Sequence, residues 1–532
     1  MARTFTLLVL ALAARTSWAQ PAPDLVLEGA VPASGEFFEL PFEVPAGTVE
    51  IQIAHAATDA DDILDFGVLS PEGFRGYGGG NTEDAVIGVE ASSRSYLPGP
   101  IAPGTWTLYV GKAKVRSAAP GYAAAITFRT TATLPPATDR APYAEAAPLS
   151  SEARFYAGDF HVHSEDSGDA RPPLAEIAAF ARGRGLDFVV ITDHNTVAQD
   201  ERIAAAQPAH PELLFVPGIE LTTYAGHATA FGATAWVDHR VGFGGQTLQA
   251  AVDDIVAQGG LLSINHPALD LGDACIGCAW AHEAPALGTL HGVEIETGGW
   301  RQAGRLFAWD AIALWEQLLD QGHHLAALGG SDDHQAGQGN SSPIADPTTL
   351  VFASGLSVSA LRQGILDSRT VVKMQGPDDP MIALDTTPAR VGDTVAAAEV
   401  TLTATVSGGV GSQFRFVQSG LGVAPPVEVT DDPQTFTLLV TPSEGGAERV
   451  RAEVQVDDAG ELVPRTITSY VWLLPAPPAA CACAVSGRSA LPLASAALLL
   501  WLALAAARAR CGARAAHQWR RGTAPAPRSR RP

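Results

Sequence analysis

A chain of 532 residues, 46% hydrophobic and 17% charged, is long enough for several folded domains and too apolar for a disordered one. Its formal charge of −23 argues against nucleic acid or an anionic membrane surface as a partner. The body is more acidic than that figure, because the arginines 508, 510, 514, 520, 521, 528, 530 and 531 close the chain with no acid among them.

Residues 1–19 read as a secretory signal: Arg3, an apolar stretch from Leu7 to Ala14, and a small-x-small site at Ser17-Trp18-Ala19. From 20 to 130, short runs such as Val49-Glu50-Ile51-Gln52-Ile53 and Thr105-Trp106-Thr107-Leu108-Tyr109-Val110 alternate in polarity between Pro/Gly turns, the pattern of a β-sandwich. The phrases Phe42-Glu43-Val44-Pro45-Ala46-Gly47 and Ala102-Pro103-Gly104-Thr105-Trp106 loosely resemble the bacterial pre-peptidase C-terminal sandwich. Residues 131–150, rich in Pro, Ala and Thr, read as a linker.

The stretch 151–375 alternates between strand and helix. Pro172-Pro173 opens a helix with Leu174, Ile177, Phe180 and Ala181 on one face, and a buried strand over 187–192 follows. Leu248, Val252, Ile255 and Val256 repeat the pattern before Gly259-Gly260. Apolar runs at 188–191, 213–216, 260–264 and 325–328 predict strands buried on both faces, hence an α/β barrel whose site lies at the strand C-termini. A second, Ig-like sandwich is expected over 380–474 and a stalk with a Cys motif over 475–489.

Residues 490–507 are apolar enough for a transmembrane segment, and the arginines of 508–532 place that end in the cytoplasm. Cys481-Ala482-Cys483, an apolar span and an Arg-rich end together resemble C-terminal sorting signals of the myxosortase-dependent kind. A permanent membrane anchor and a tail removed by a sorting protease both fit. Either way the body is expected outside the inner membrane, at the cell envelope or outer surface. The pair Cys275 and Cys278 reads as a disulfide or as packed thiols, since nothing nearby completes a four-ligand zinc site.

Chemistry concentrates in an ordered series: His161-Val162-His163, Thr192-Asp193-His194, Glu220, His227, His266-Pro267 and Ser331-Asp332-Asp333-His334. Imidazoles with carboxylates suit divalent first-row metals. Two residues at i and i+2 on a strand share a face, so His161 with His163, and Asp332 with His334, can act together. Alone, any one histidine is more often packed or exposed than a ligand; six of the fourteen falling in ordered motifs make that reading untenable for the set. His55, His210, His239, His282, His291, His323, His324 and His517 match no motif and read as structural or surface residues. Glu294 and Glu296 stand at another strand end, as rim or supporting carboxylates. Trp280 and Trp300 fit core or pocket wall. Neither a GxSxG nucleophile motif nor a P-loop is present.

Over about 155–375 these motifs, with Gly158-Asp159-Phe160 and Gly329-Gly330 beside them, resemble the polymerase-and-histidinol-phosphatase (PHP) superfamily. The extended HxH stretch and Cys275-Ile276-Gly277-Cys278-Ala279-Trp280 are most similar to its carbaryl-hydrolase-like branch. The resemblance implies a distorted seven-stranded β/α barrel with two to three divalent ions, of Mn, Zn or Fe. It implies one metal on His161, His163, Glu220 and Asp332, and a second on Glu220, His227 and His266. A third would take His194, His334 and a residue of the loop Ser164–Asp169, where Asp166 is the first candidate and Asp169 the next. Asp193 is expected to orient an imidazole.

The expected function is an exported phosphoesterase acting on a small-molecule ester through a metal-bridging hydroxide. If the third metal is absent, His194, His334 or Asp332 would protonate the leaving group. A carbamate or amide-ester hydrolase on the same centre, and a non-catalytic surface binding protein with a metal-stabilised barrel, are the alternatives. Substrate specificity is expected in the loops 238–248 and 268–290.

Overall fold

The computed structural model describes residues 22–338, 342–386, 389–443 and 448–476. The chain divides into two units, Met1–Ala476 and Pro477–Pro532, and every described residue lies in the first. The architecture is α/β, with a barrel-like core flanked by antiparallel sheets.

Alternating side chains build the first flank. Strands Leu25–Ala30, Gly121–Arg129, Glu50–Ala57 and Ala85–Gly88 form one sheet, and Phe37–Val44, Gly104–Lys114, Ile63–Ser70 and Gly73–Gly79 the other. Ile51, Ile53, Phe66, Trp106, Leu108 and Ile126 fill the space between them. Two histidines are buried against aromatic rings, and for both burial outweighs the nearby charges, Asp84 for His55 and Asp238 with Arg240 for His239. His55 lies 4.3 Å from the Phe66 ring, and burial lowers its pKa to about 4. His239, from the core, sits among the rings of Tyr77, Tyr109 and Trp236 with its pKa lowered to about 3 by burial.

Both histidines bind a proton more readily when unfolded, so between their folded values and about 6.5 stability rises with pH. That stability is complete above pH 6.5 and is lost as the pH falls toward 4, at roughly 3 kcal/mol for His55. Thermal melts from pH 7.5 to 4 should show this slope, and His239→Phe should flatten it. An unchanged slope in the variant would show that His239 charges at no cost.

In the core, strand Arg154–Val162 pairs in parallel with Phe188–Ile191, and that strand with Leu214–Thr223. Gly226–Phe231 then returns antiparallel between Leu214–Thr223 and Leu261–Ile264. Gly292–Thr297 and Ala326–Gly330 follow in parallel. The last edge reaches back to the first through the bridge between Val162 and Asp333. Phe188–Ile191 and Leu261–Ile264 are buried at every position, as expected of strands covered on both faces.

Helix Leu174–Gly183 buries Leu174, Ile177, Ala178 and Ala181. Helix Leu248–Ala257 starts at Thr247, whose side chain accepts from Ala250 N, and buries Ala251, Val252 and Ile255. Val256, expected on that face, is 39% exposed, because the stripe turns toward Ala251 instead.

The second flank pairs Met381–Asp385, Val400–Ser407 and Gln434–Val440 in one sheet. Its other sheet is continuous with the core, since Thr370–Lys373 bonds to Glu461–Thr468 edge to edge. Buried Arg451 and Arg449 from that sheet engage Glu316 on helix Arg305–Asp320.

The expectation of a transmembrane segment needs correction. Among the described residues no helix is long and apolar enough to cross a membrane. The expected signal (1–19), span (490–507) and basic tail (508–532) lie outside the described residues.

Candidate metal centre

The strand ends bring the motif residues to one place. His161 ends strand Arg154–Val162, and the segment after Ala326–Gly330 interlocks with it: Asp332 N donates to His161 O (2.8 Å) and His163 N to Asp333 O (3.0 Å). Gly330 allows this approach, because a Cβ there would lie 2.4 Å from His161 Cβ and 2.6 Å from a Glu294 oxygen. Asn195, His266 and Asp332 all adopt positive φ (51°, 27° and 57°), a conformation that costs non-glycine residues about 1 kcal/mol or more and clusters at functional sites.

Three adjoining groups can hold a metal ion. The first is His161, His163, Glu220 and Asp332. Asp332 Oδ1 lies 3.3 Å from His161 Nε2 and 3.1 Å from His163 Nε2, and Glu220 Oε1 is 3.2 Å from His161 Nε2. The second joins His227 and His266, whose Nδ1 and Nε2 stand 3.2 and 3.0 Å from the same Glu220 Oε1. Cys278 adjoins these two histidines but is disulfide-bonded to Cys275, so it offers no thiolate. The third group is His163, Asp169, His194 and His334, with Asp169 Oδ2 at 3.3 Å from His194 Nε2 and 3.2 Å from His334 Nε2. The other Glu220 oxygen faces His194 Nδ1 at 2.8 Å.

Asp169, then, stands where Asp166 was expected. The Asp166 carboxylate turns away to Arg202 Nε (2.7 Å), Arg140 (3.3 Å) and Ser95 N (3.2 Å). The loop is fixed by Arg94 of the first sandwich, which donates to the carbonyls of Ser167 (2.6 Å), Gly168 (2.7 Å) and Ala170 (3.0 Å). Asp193 likewise orients no imidazole. It accepts from Ser164 N and Oγ, both at 2.6 Å, and burial raises its pKa to about 7.

The orienting carboxylate is Glu294. One of its oxygens lies 3.0 Å from His161 Nδ1, and the other accepts from His266 N (2.8 Å) and Thr297 Oγ1 (2.8 Å). Such a bond fixes the ring so that Nε2 points at a metal. Asp159 receives the amides of His161, Ser331 and Ala345 and so ties both halves of the seam together. Asn265 Nδ2 donates to Glu220 Oε1 (3.1 Å), and His266 Nδ1 faces the Cys278 carbonyl. The sequence places Glu294 only at a strand end; the Glu294-x-Glu296 spacing puts both on one face of a regular strand, and only the register irregularity between them separates their surroundings. Glu296 is buried with no hydrogen-bond partner among the described residues, and burial holds it protonated well above the usual carboxylate range. Trp300 belongs to the core and Trp280 packs against it.

Electrostatics mark the site as built for added positive charge. Burial opposes the charged form of Glu220, yet His161, His194 and His227 outweigh it and hold the carboxyl well below its usual range. Burial also opposes charge on His161 and His194, but Glu220 with Asp332, and Asp169 with Glu220, raise both well above an ordinary histidine. His163, buried and beside His334 and His194, is driven down to about 3. The remaining ring nitrogen of His227, Nε2, is buried without a hydrogen bond among the described residues. Divalent ions answer each of these demands at once, so the donor set fits them.

The α/β, barrel-like core thus carries three adjoining His/Asp/Glu groups that can hold divalent ions. No family model matches the chain, and no curated protein matches it. Among solved structures it is similar to one described as a metal-dependent phosphoesterase from Bifidobacterium adolescentis, at 14% identity and a TM-score of 0.25 over 40% of this chain and 96% of that one. It is also similar to the CARDB domain of a Pyrococcus furiosus protein, at 16% identity and a TM-score of 0.14 over 18% of this chain and 96% of that one. An engineered protein matches at 10% identity and a TM-score of 0.15, over 55% and 49% of the two chains. Scores this low leave function to the geometry of the site.

Proposed function

We propose that this chain is an exported hydrolase of small-molecule esters, a phosphoesterase on a seven-stranded barrel of the PHP type, working with two to three divalent ions of Mn, Zn or Fe. One observation carries the reading: the buried Glu220 carboxylate faces His161, His163, His194, His227 and His266 from its two oxygens, the position of a ligand shared between ions. His161, His163, Glu220 and Asp332 would hold one ion, Glu220, His227 and His266 a second, and His194, His334 and Asp169 a third. Such ions lower the pKa of water toward neutrality and take up negative charge developing on the scissile oxygen.

The chain's own residues supply the rest. His194, His334 and Asp332 line the cleft that opens on the centre. Burial works against charge on His334, but Asp169 and Asp332 outweigh it and lift its pKa to about 9 in the metal-free site. With the third position empty it would keep a proton to give to a departing oxygen, and with that position filled it would serve as a ligand instead. His334→Ala should retain the ions of the first two groups and lose about a hundredfold in turnover. Loss of all metal from that variant, read by elemental analysis, would place His334 in the primary site instead.

A screen of the metal-reconstituted protein against phosphomonoesters, phosphodiesters and aryl carbamates tests the activity. Turnover of phosphoesters abolished by chelation is the expected result, and turnover of carbamates alone would move the reading to the carbamate class. Export and the processing of the C-terminal tail by a sorting protease are proposed from sequence, and mass spectrometry of the mature protein tests both.

A further inference from the structure

The centre lies at the bottom of a cleft of about 760 Å³, within the range of small-molecule sites. The core builds only one of its walls. The other comes from the first sandwich, through Ile63, Asp65, Tyr77, Ala113 and the turn from Gly78 to Glu83. The loop 268–290 faces this wall with Leu269, Leu271 and Ile276. The loop 238–248, expected to set specificity, does not line the cleft; Arg240 there bonds Glu39 of the sandwich at 2.9 Å.

The sandwich wall is held in place. The Tyr224 ring stacks on Phe37 (5.4 Å) and its hydroxyl donates to Asp65 (2.7 Å), while Phe74 stacks on Trp236 (4.8 Å). Gly168, beside the third-group ligand Asp169, presses so closely on the sandwich that a Cβ would lie 2.4 Å from Gly78 O.

The chemistry of the outer cleft is one-sided. Its side chains are largely apolar, and the charges beyond the metal-ligating residues are the carboxylates of Asp65, Glu83 and Asp273 with one cation, Arg171. The cations beside these carboxylates are already paired: Arg171 lies 3.1 Å and Arg94 2.6 Å from Glu83, and Arg116 lies 2.6 Å from Asp273, which leaves Asp65 as the carboxylate without an Arg partner among the described residues. Among the described lining residues no other Lys or Arg is present to receive a second anion.

We propose that the first sandwich is the substrate-selecting wall of the cleft, which takes esters whose group beyond the reacting centre is apolar and neutral or cationic over those carrying a second anion. This rests on the hydrolase reading above. A quaternary ammonium is well matched, since carboxylates and the Tyr77 ring both attract it.

The test uses the full-length, metal-loaded protein and p-nitrophenyl phosphodiesters with three arms of equal length: butyl, trimethylammonioethyl and carboxypropyl. The first two should exceed the third in kcat/KM by about tenfold or more. Thr82→Arg, on the exposed turn, and Ile63→Arg, deeper in the wall, should each shift the carboxylate-to-ammonium ratio upward by about tenfold. Calorimetric binding of the three matching non-hydrolysable phosphonates gives the same order without turnover. Equal or reversed preference in binding, or a ratio unmoved by both arginine variants, overturns the selection. Ordered binding with no hydrolysis of any ester instead overturns the hydrolase reading and leaves the selecting wall standing.

Discussion

Glu220→Ala should strip the protein of more than one metal ion and reduce turnover by about a thousandfold. The carboxylate is fully buried, and its Oε1 lies within 3.2 Å of His161, His227 and His266, members of two different groups. Removing it takes a shared ligand from both ions, so water activation and charge stabilisation fail together. A loss of about 4 kcal/mol in transition-state stabilisation corresponds to that thousandfold. Elemental analysis beside steady-state kinetics reads the result, and one ion lost with activity intact would refute the shared position. Glu220→Gln separates charge from shape: it keeps the Asn265 neighbour in place, yet should still bind less metal because its amide offers one neutral oxygen.

The second large effect distinguishes two aspartates of one loop. Asp166→Ala should destabilise the fold by about 2–3 kcal/mol, because it removes the fully buried partner of two guanidinium groups and leaves Arg140 with Glu201, and Arg202 with Asp139 and Glu165, all of them more exposed carboxylates. Arg140 is 6% exposed and Arg202 15%, and both bond the Asp166 carboxylate. Asp169→Ala should instead destabilise the metal-free protein less, since its carboxylate is 55% exposed and the His194 and His334 rings it pairs with can release their protons. The same variant should lower occupancy at His194 and His334 without emptying the other two groups. Denaturant unfolding of the metal-free variants, with metal titration of each, decides the matter. Equal destabilisation by both substitutions would make Asp169 a structural residue.

Much of this site was legible from the chain alone, because metal chemistry limits ligands to a few side chains and strand ends place them. His161-x-His163, Glu220, His227, His266 and Asp332-x-His334 each follow a buried apolar run or lie within two residues of one, and all converge in space. The helices at Leu174–Gly183 and Leu248–Ala257 were likewise readable from their apolar spacing. Periodicity says which face a residue takes, and a regular element then carries it to a predictable place.

What the sequence left open lies in loops and between domains, where periodicity is silent. Asp166 and Asp169 are three residues apart in an irregular loop, and Arg94, Arg140 and Arg202, distant in sequence, decide which one turns toward the histidines. The orienting role of Glu294 depends on the neighbouring strand ends that bring His161 and His266 to it. The pairing of Cys275 with Cys278 was one of two readings until the fold joined them beside His266. Above all, no local pattern told that a sandwich beginning over a hundred residues upstream of the centre forms half of its cleft. That was decided by the packing of Phe37, Phe74 and Tyr224, a long-range contact that only the folded chain specifies.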